Sequence, residues 1–151
     1  MSKTIISDTS CFIVLSKTGQ LDLLHQLFGN ITTTPEIVEE FGEKLPDWIE
    51  IVAAKDIHKR HLFETQVDKG EASAMALAFE MENSLLIIDD YKARKLEHTL
   101  NIDYTGTIGI IILAKQKGII DSIKPILAKI KETNFHISAE LELQALIQAK
   151  E

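Results

Sequence analysis

Short apolar runs alternate with longer segments of helical periodicity along most of this sequence, and no other feature constrains the fold as strongly. "TIISDTS" (4–10) has the pattern of a buried strand that ends at Asp8. "SLLIID" (84–89) has the pattern of a second strand, closed by Asp89 and Asp90. Strands that alternate with helices usually form a parallel sheet covered by helices. The sequence therefore predicts a layered α/β architecture.

Several other segments carry the start and stop signals of helices. Thr34 and Pro35 are a strong pair of N-cap and first helical residue for "TPEIVEEFG". "GEASAMALAFEMEN" (70–83) has high helix propensity, and Gly118 ends a buried helix in "TIGIIILAKQKG". We further predict two helical pieces that meet at Gly19, strands at 31–33, 47–54 and 102–106, helices within 58–70 and from residue 91, and two tail helices, the second with Ser138 as N-cap.

The length and the apolar runs bound the class of protein. The 151 residues fit one domain, which we place at 1–151. The longest apolar runs, such as "IGIIILA" (108–114), are far shorter than the roughly 20 residues of a membrane-spanning helix. The N-terminus lacks a signal-peptide pattern, so we expect a soluble, cytoplasmic protein without membrane contact. The single cysteine, Cys11, can form no internal disulfide, and we expect it to be a small buried apolar residue.

The charge balance is acidic, with a net charge of -7 and a pI near 5.2. This argues against a protein that binds nucleic acid through an overall positive charge, because proteins that bind phosphates usually carry a basic surface. A nuclease is not excluded, since divalent cations in an acidic site present local positive charge.

Acidic residues follow the predicted strands or lie at the ends of neighbouring helices. The candidates are Asp8, Glu39, Glu40, Glu71, Asp89 and Asp90. In a parallel α/β sheet, ligands bind beyond the carboxyl ends of the strands, where several of these acids should meet. Such acids repel one another unless they are compensated, and Mg²⁺ or Mn²⁺ are the hard cations that prefer oxygen ligands.

Each acid also has a purely structural interpretation. Asp8 is a suitable N-cap for the helix that follows it, and the helix dipole alone favours Glu71 in a first turn. Glu39 and Glu40 could lie on a solvated helix face. Adjacent side chains of a strand point to opposite sides, so we expect one residue of the "DD" pair to be a ligand and the other to cap the helix in "YKARKL".

The order of these pieces resembles that of PIN-domain proteins over nearly the whole chain. The motifs are "SDTS", "TPEIVEEF", "GEASAMALA" and "LLIIDD", and the stretch from "IDDYKARK" to "AKQKG" is especially similar to a subgroup of short prokaryotic PIN proteins. By this resemblance the family's four acids correspond to Asp8, to Glu40 or Glu39, to Glu71 in place of the commoner aspartate, and to Asp90 or Asp89. Thr107, after Gly106, corresponds to a hydroxyl residue that supports a metal ligand or a phosphate oxygen; its other interpretation is a plain N-cap. Many toxin members have Thr or Ser where this chain has Ile88.

The resemblance implies a three-layer α/β/α fold with a central, mainly parallel sheet. It also implies a metal-dependent endoribonuclease that cleaves single-stranded RNA, with Mg²⁺ or Mn²⁺ held by the acids named above. Toxin members pair with an antitoxin protein and PIN relatives commonly dimerise, so an antitoxin partner and a homodimer are further expectations.

Two other functions remain open from the sequence. One is a catalytically weak or inactive PIN-fold module that acts through protein or nucleic-acid binding. The other is a phosphatase or phosphoryl-acceptor domain, which would call for a strand-end "DxD" where this chain has "DD". The "HKRH" histidines, His58 and His61, are predicted to be surface residues rather than a zinc site. Lys92, Arg94 and Lys95 either contact a substrate backbone or lie on a solvated helix face.

Overall fold

Five short strands form one sheet in a computed structural model that describes residues 3–151. Met1 and Ser2, the first residues of the predicted domain 1–151, lie outside the described part of the chain. The described strands are β1 (Thr4–Ser7), β2 (Ile31–Thr33), β3 (Ile49–Ile51), β4 (Ser84–Ile87) and β5 (Tyr104–Thr105). The described helices are α1 (Thr9–Lys17), α2 (Asp22–Phe28), α3 (Pro35–Phe41), α4 (Ile57–Glu64), α5 (Lys69–Glu80), α6 (Tyr91–Leu100), α7 (Thr107–Gln116), α8 (Lys124–Lys131) and α9 (Ala139–Gln148).

The strand order is β3-β2-β1-β4-β5, and every pair of neighbours is parallel. The chain moves outward from β1 through β2 to β3, and then crosses to the other side of β1 for β4 and β5. The direction of winding therefore reverses between β1 and β4, and open α/β sheets bind their ligands outside the carboxyl ends of the strands at such a point. Ser7 pairs with Ile87, so the residues that follow β1 and β4 leave the sheet side by side.

Helices cover both faces of the sheet. All three residues of β2 are buried, as are Ile5, Ile6 and Ser7 of β1. Because successive side chains of a strand point to opposite faces, such runs are buried only when both faces are covered. The predicted α/β fold with a parallel sheet is confirmed, and the sheet is parallel throughout the described residues.

The local helix signals operate as predicted. The Thr34 hydroxyl accepts a hydrogen bond from the Ile37 backbone N–H at 3.3 Å, with Pro35 as the first helical residue. Ser138 caps α9 by accepting from the Leu141 N–H at 3.0 Å. Gly118, just after α7, has a φ of 76°. A left-handed backbone of this kind favours glycine and stops a helix.

The strand predicted at 47–54 is too long, because β3 comprises Ile49–Ile51 alone. It is an edge strand that pairs only with β2, and Ile51 is 53% exposed. The hydrogen bonds to β2 extend only from the Trp48 carbonyl to the Val52 N–H, whereas the alternation of "DWIEIVAA" continues to residue 54.

Glu151, which follows α9, hydrogen-bonds to the residues just before α8. The Glu151 carboxylate accepts hydrogen bonds from the Ile123 N–H at 2.8 Å and from the Ser122 hydroxyl at 2.5 Å. It also pairs with the Lys115 ammonium at 3.1 Å. These contacts hold α9 against the second buried cluster, formed largely by α7 and α8. No helix in residues 3–151 is long and apolar enough to cross a membrane.

Candidate active site

Asp8 and Asp89 lie side by side beyond β1 and β4, at the point where the winding of the sheet reverses. Oδ2 of Asp8 accepts a hydrogen bond from the Asp89 backbone N–H at 3.3 Å. Oδ1 of Asp8 accepts from the Cys11 N–H at 2.9 Å and caps α1. The capping role predicted for Asp8 is therefore confirmed, and the same side chain also faces the neighbouring acid.

Burial makes Asp8 an unusual carboxyl group. It is 3% exposed, and burial followed by the nearby charge of Asp89 raises its pKa from 3.8 to about 8, against the backbone N–H groups that it accepts from. The raised pKa favours the protonated form of Asp8 in the isolated protein, and a cation beside it would favour release of that proton. Cys11 packs in the core as predicted, and burial raises the pKa of its thiol.

Asp89 is held by donors on several sides. The Thr107 N–H donates to Oδ1 at 2.8 Å, and the Thr107 hydroxyl donates to Oδ2 at 2.6 Å. The Ser10 hydroxyl donates to Oδ2 at 3.2 Å, and Nη2 of Arg94 lies 4.0 Å from Oδ1. Gly106 leaves the room for this arrangement, since a Cβ there would overlap Nη2 of Arg94 and lie 2.8 Å from Oδ1 of Asp89. The Asp89 carboxylate is thus fixed in position.

Asp90 takes the capping role of the adjacent pair. Its carboxylate accepts from the Ala93 N–H at 3.1 Å at the start of α6, and the residue is exposed. The structure therefore shows Asp90 as the cap of α6 and Asp89 beside Asp8, whereas the sequence left open which of the two acids would take the cap.

Glu71 lies in the first turn of α5 and forms a reciprocal capping box with the N-cap residue, Asp68. The Glu71 N–H donates to Asp68 at 2.8 Å, and the Asp68 N–H donates to Glu71 at 3.4 Å. Burial, the hydrogen bond to Asp68 and the charges of Asp68 and Asp90 raise the pKa of Glu71 to about 8. The charge of Asp68 also raises the pKa of Asp8. The start of α5 thus faces the Asp8 end of the sheet, and Asp68 is an acid of this region that the sequence analysis missed.

Glu40 approaches from α3. Its Oε1 accepts a hydrogen bond from the Thr9 hydroxyl at 2.8 Å. Its carboxylate also lies so close to Gly70 that a Cβ at that position would overlap it. Gly70 therefore permits α3 and α5 to bring Glu40 and Glu71 to the same region. Glu39, the alternative, and Glu40 are both exposed, so exposure does not distinguish them.

Glu97 is the second acid that the sequence analysis missed. It is completely buried in α6, and neither carboxylate oxygen has a hydrogen-bond partner among residues 3–151. Burial raises its pKa to about 9; Arg94 opposes this rise, and the charges of Asp8 and Glu71 add to it. Glu97 therefore lies within electrostatic reach of the site.

This arrangement fits a hydrated divalent cation. No three His, Cys, Asp or Glu side chains in the described part of the chain are close enough to enclose a metal ion. Magnesium, however, keeps several waters and often binds through one or two carboxylates. Asp8 and Asp89 offer such a pair of oxygen donors, and Glu97 adds a buried carboxyl group without a partner.

A protein-family model described as a PIN domain matches residues 4–151. The chain belongs to the PIN-domain family. PIN domains are generally nucleases that bind RNA and use divalent metal ions. No protein in the search of curated proteins matches the chain.

Two interpretations of individual residues change in this PIN domain. Thr107 is not the N-cap of α7, because Gly106 occupies that position and Thr107 is the first helical residue. Gly106 has an extended backbone as the chain enters α7, and both the N–H and the hydroxyl of Thr107 point toward Asp89.

The basic residues Lys92, Arg94 and Lys95 do not share one cleft. Lys92 and Lys95 line a cleft with Tyr91, whereas Arg94 lines a different cleft with Asp89. His58 and His61 are exposed, as predicted.

Proposed function

We propose that this PIN domain is a metal-dependent endoribonuclease that cleaves phosphodiester bonds of single-stranded RNA with Mg²⁺ or Mn²⁺. The observation that carries the proposal is the pair Asp8 and Asp89 at the reversal point of the sheet, where the Asp8 carboxylate accepts from the Asp89 backbone N–H at 3.3 Å. Proteins place ligands at this point of a parallel sheet, and oxygen donors select hard cations.

In this proposal the acids differ in their tasks. Asp8 and Asp89 hold the cation, while Glu40, Glu71 and Asp90 complete the negative rim of the site. A bound cation would lower the pKa of a water and stabilise the charge that develops on the phosphate. Thr107 and Ser10 keep the Asp89 carboxylate in one orientation, which saves the entropy of ordering it during each turnover.

Arg94 is the group best placed to contact the substrate. Its Nε donates to the Ile88 carbonyl at 2.9 Å, and its guanidinium lies 5.6 Å from the centre of the Tyr104 ring. Both side chains line a cleft of about 420 Å³ that begins at Asp89 and continues to His136. A phosphate would pair with the guanidinium, and an unstacked base would find an aromatic face at Tyr104. Single-stranded RNA offers both groups together.

The biological setting follows from the resemblance to toxin ribonucleases. We infer a toxin of a toxin–antitoxin pair that acts in the cytoplasm, binds an antitoxin protein and forms a homodimer. The alternative is a catalytically weak or inactive PIN module that binds protein or nucleic acid. Glu71 gives this alternative some support, because its carboxylate already serves a capping box.

Cleavage of an end-labelled, mixed-sequence single-stranded RNA tests the proposal. The wild type should cleave with Mn²⁺ or Mg²⁺ and not with EDTA. Asp89→Asn should abolish cleavage with little effect on folding, since an amide can accept from the Thr107 N–H and donate to the Thr107 hydroxyl. Asp121→Asn is the matched control, because Asp121 is exposed beyond the far end of α7. Intact RNA with every metal tested would refute the ribonuclease and favour the binding module.

Asp90→Asn separates the two adjacent acids. If Asp89 holds the cation and Asp90 caps α6, Asp90→Asn should retain most of the activity, because asparagine is also a good N-cap. Loss of cleavage in both variants, with folding intact, would make Asp90 a cation ligand as well.

A further inference from the structure

Glu97 is a buried carboxyl group that nothing in residues 3–151 satisfies. It is 0% exposed, and both of its oxygens lack a hydrogen-bond partner. Taking such a group out of water without a partner costs several kcal/mol in typical proteins. An alanine or leucine would fill a buried helix position at no such cost. Glu97 therefore lowers the stability of the fold when no further group supplies a partner.

The position of Glu97 on α6 relates it to the site. Side chains of an α-helix lean toward its N-terminus, and Ala93, one turn earlier, is also buried on the same face. The carboxyl group of Glu97 therefore leans along the covered face of α6 toward the N-terminal end of that helix. The charged groups that act on it are Arg94, Asp8 and Glu71, and all three belong to the candidate active site.

Arg94 does not satisfy Glu97 in this structure. Its Nε donates to the Ile88 carbonyl, and its Nη2 faces Asp89. Because the charges of Asp8 and Glu71 act on Glu97, the neighbouring region that can supply a partner for its oxygens is the cation site at the ends of β1 and β4. A hydrated cation in that place would bring water molecules that need acceptors.

We propose that Glu97 is a further acid of the cation site, which accepts hydrogen bonds from the hydration shell of a divalent cation held by Asp8 and Asp89. This inference rests on the proposed metal-dependent function and adds an outer acid to it. Groups in the outer shell of a metal orient the inner ligands, and their removal typically weakens metal affinity about 10–100-fold.

Calorimetric titration with Mn²⁺ tests the role of Glu97 without any need for a substrate. The wild type should bind, Glu97→Gln should bind about 10–100-fold more weakly, and Asp89→Asn should not bind. Glu140→Gln on α9 makes the same substitution at an exposed position and should match the wild type. Circular dichroism establishes that each variant is folded. If Glu97→Gln fails to fold, Glu97→Met, which fills the space with an apolar chain, replaces it with the same expectation.

The outcomes separate the inference from the proposed function. Mn²⁺ affinity of Glu97→Gln equal to that of the wild type would overturn the role of Glu97 and leave the Asp8 and Asp89 site standing. No Mn²⁺ binding by the wild type would overturn both. Affinity lowered equally by Glu97→Gln and Glu140→Gln would show an effect of net charge alone and would also overturn the inference.

Discussion

Replacement of Glu97 by glutamine should stabilise the metal-free protein at alkaline pH and leave it nearly unchanged at acidic pH. The Glu97 carboxyl has a pKa of about 9 in the folded protein against an ordinary value of 4.5. Between these values the folded chain keeps a proton that the unfolded chain releases. Because the folded state binds more protons, stability falls as pH rises through this window.

The size of the effect follows from the same two values. Each pH unit inside the window costs about 1.4 kcal/mol, so Glu97 lowers the free energy of unfolding by about 4 kcal/mol between pH 5 and pH 8. Glutamine has nearly the same shape as the protonated acid, and its side chain does not ionise between pH 5 and pH 8. Asp8 and Glu71 shift in the same direction but are present in both proteins, so the difference between wild type and variant isolates Glu97.

Urea unfolding followed by circular dichroism, at pH 5 and pH 8 in EDTA, measures this difference. We expect the two proteins to agree within about 1 kcal/mol at pH 5 and the variant to be more stable by about 3–4 kcal/mol at pH 8. Glu140→Gln on the exposed face of α9 should show no such change. A difference between wild type and Glu97→Gln that is constant with pH would refute the argument, because Glu97 would then hold the same proton in both states.

Three further predictions concern other contacts. Gly106→Ala keeps an accessible backbone conformation, with φ at −119°, but its methyl group overlaps Arg94. RNA cleavage and Mn²⁺ affinity should both fall, and the free energy of unfolding in urea should fall by about 1–3 kcal/mol. Unchanged Mn²⁺ affinity would contradict the close approach of Gly106 to Arg94 and Asp89. Thr107→Val removes the hydroxyl that donates to Asp89 at 2.6 Å. It should lower the free energy of unfolding in urea by about 1–2 kcal/mol and reduce RNA cleavage, whereas Thr107→Ser should keep wild-type stability and cleavage. For Glu151, the hydrogen bonds from Ser122 and Ile123 lower the pKa to about 2, so its stabilisation is complete above pH 4.5 and is lost as pH falls toward 2. Thermal melts should therefore show Glu151→Gln less stable than the wild type at pH 7 and nearly equal to it near pH 2; an equal gap at both would argue against the carboxylate contacts.

The sequence predicted the elements whose signals are local. Thr34, Pro35 and Ser138 act through atoms three residues away, so their capping could be read directly from the chain. The ends of β3 depend on a distant partner strand, which local alternation does not reveal. This is why the strand predicted at 47–54 is longer than β3.

The role of each acid of the "DD" pair depended on strand register. The sequence required the two side chains to diverge, but either could have faced Asp8. The pairing of Ser7 with Ile87 decides this, because it brings the Asp89 backbone N–H to the Asp8 carboxylate. Register is a tertiary property that one strand does not encode by itself.

The sequence contains a signal for the burial of Glu97. Ala93, Leu96 and Leu100 form the apolar stripe of α6, and Glu97 falls inside this stripe. An acid in the middle of an apolar stripe is either buried or marks an error in the predicted helix. The unpartnered state of its oxygens, in contrast, could be learned only from the packing of the whole domain.

The placement of Asp8 one residue beyond β1, and of Asp89 two residues beyond the neighbouring β4, has a consequence for how this protein can change. Their separation is set by the spacing between adjacent strands, and Ile6 and Leu86 beneath them are completely buried. The pair is therefore as rigid as the centre of the sheet, and its amides should be among the slowest to exchange with solvent. The helices α5 and α6 carry the surrounding acids and Arg94 on separate segments. Mutations there can alter affinity and substrate choice during evolution or design, while the two central carboxylates stay in place.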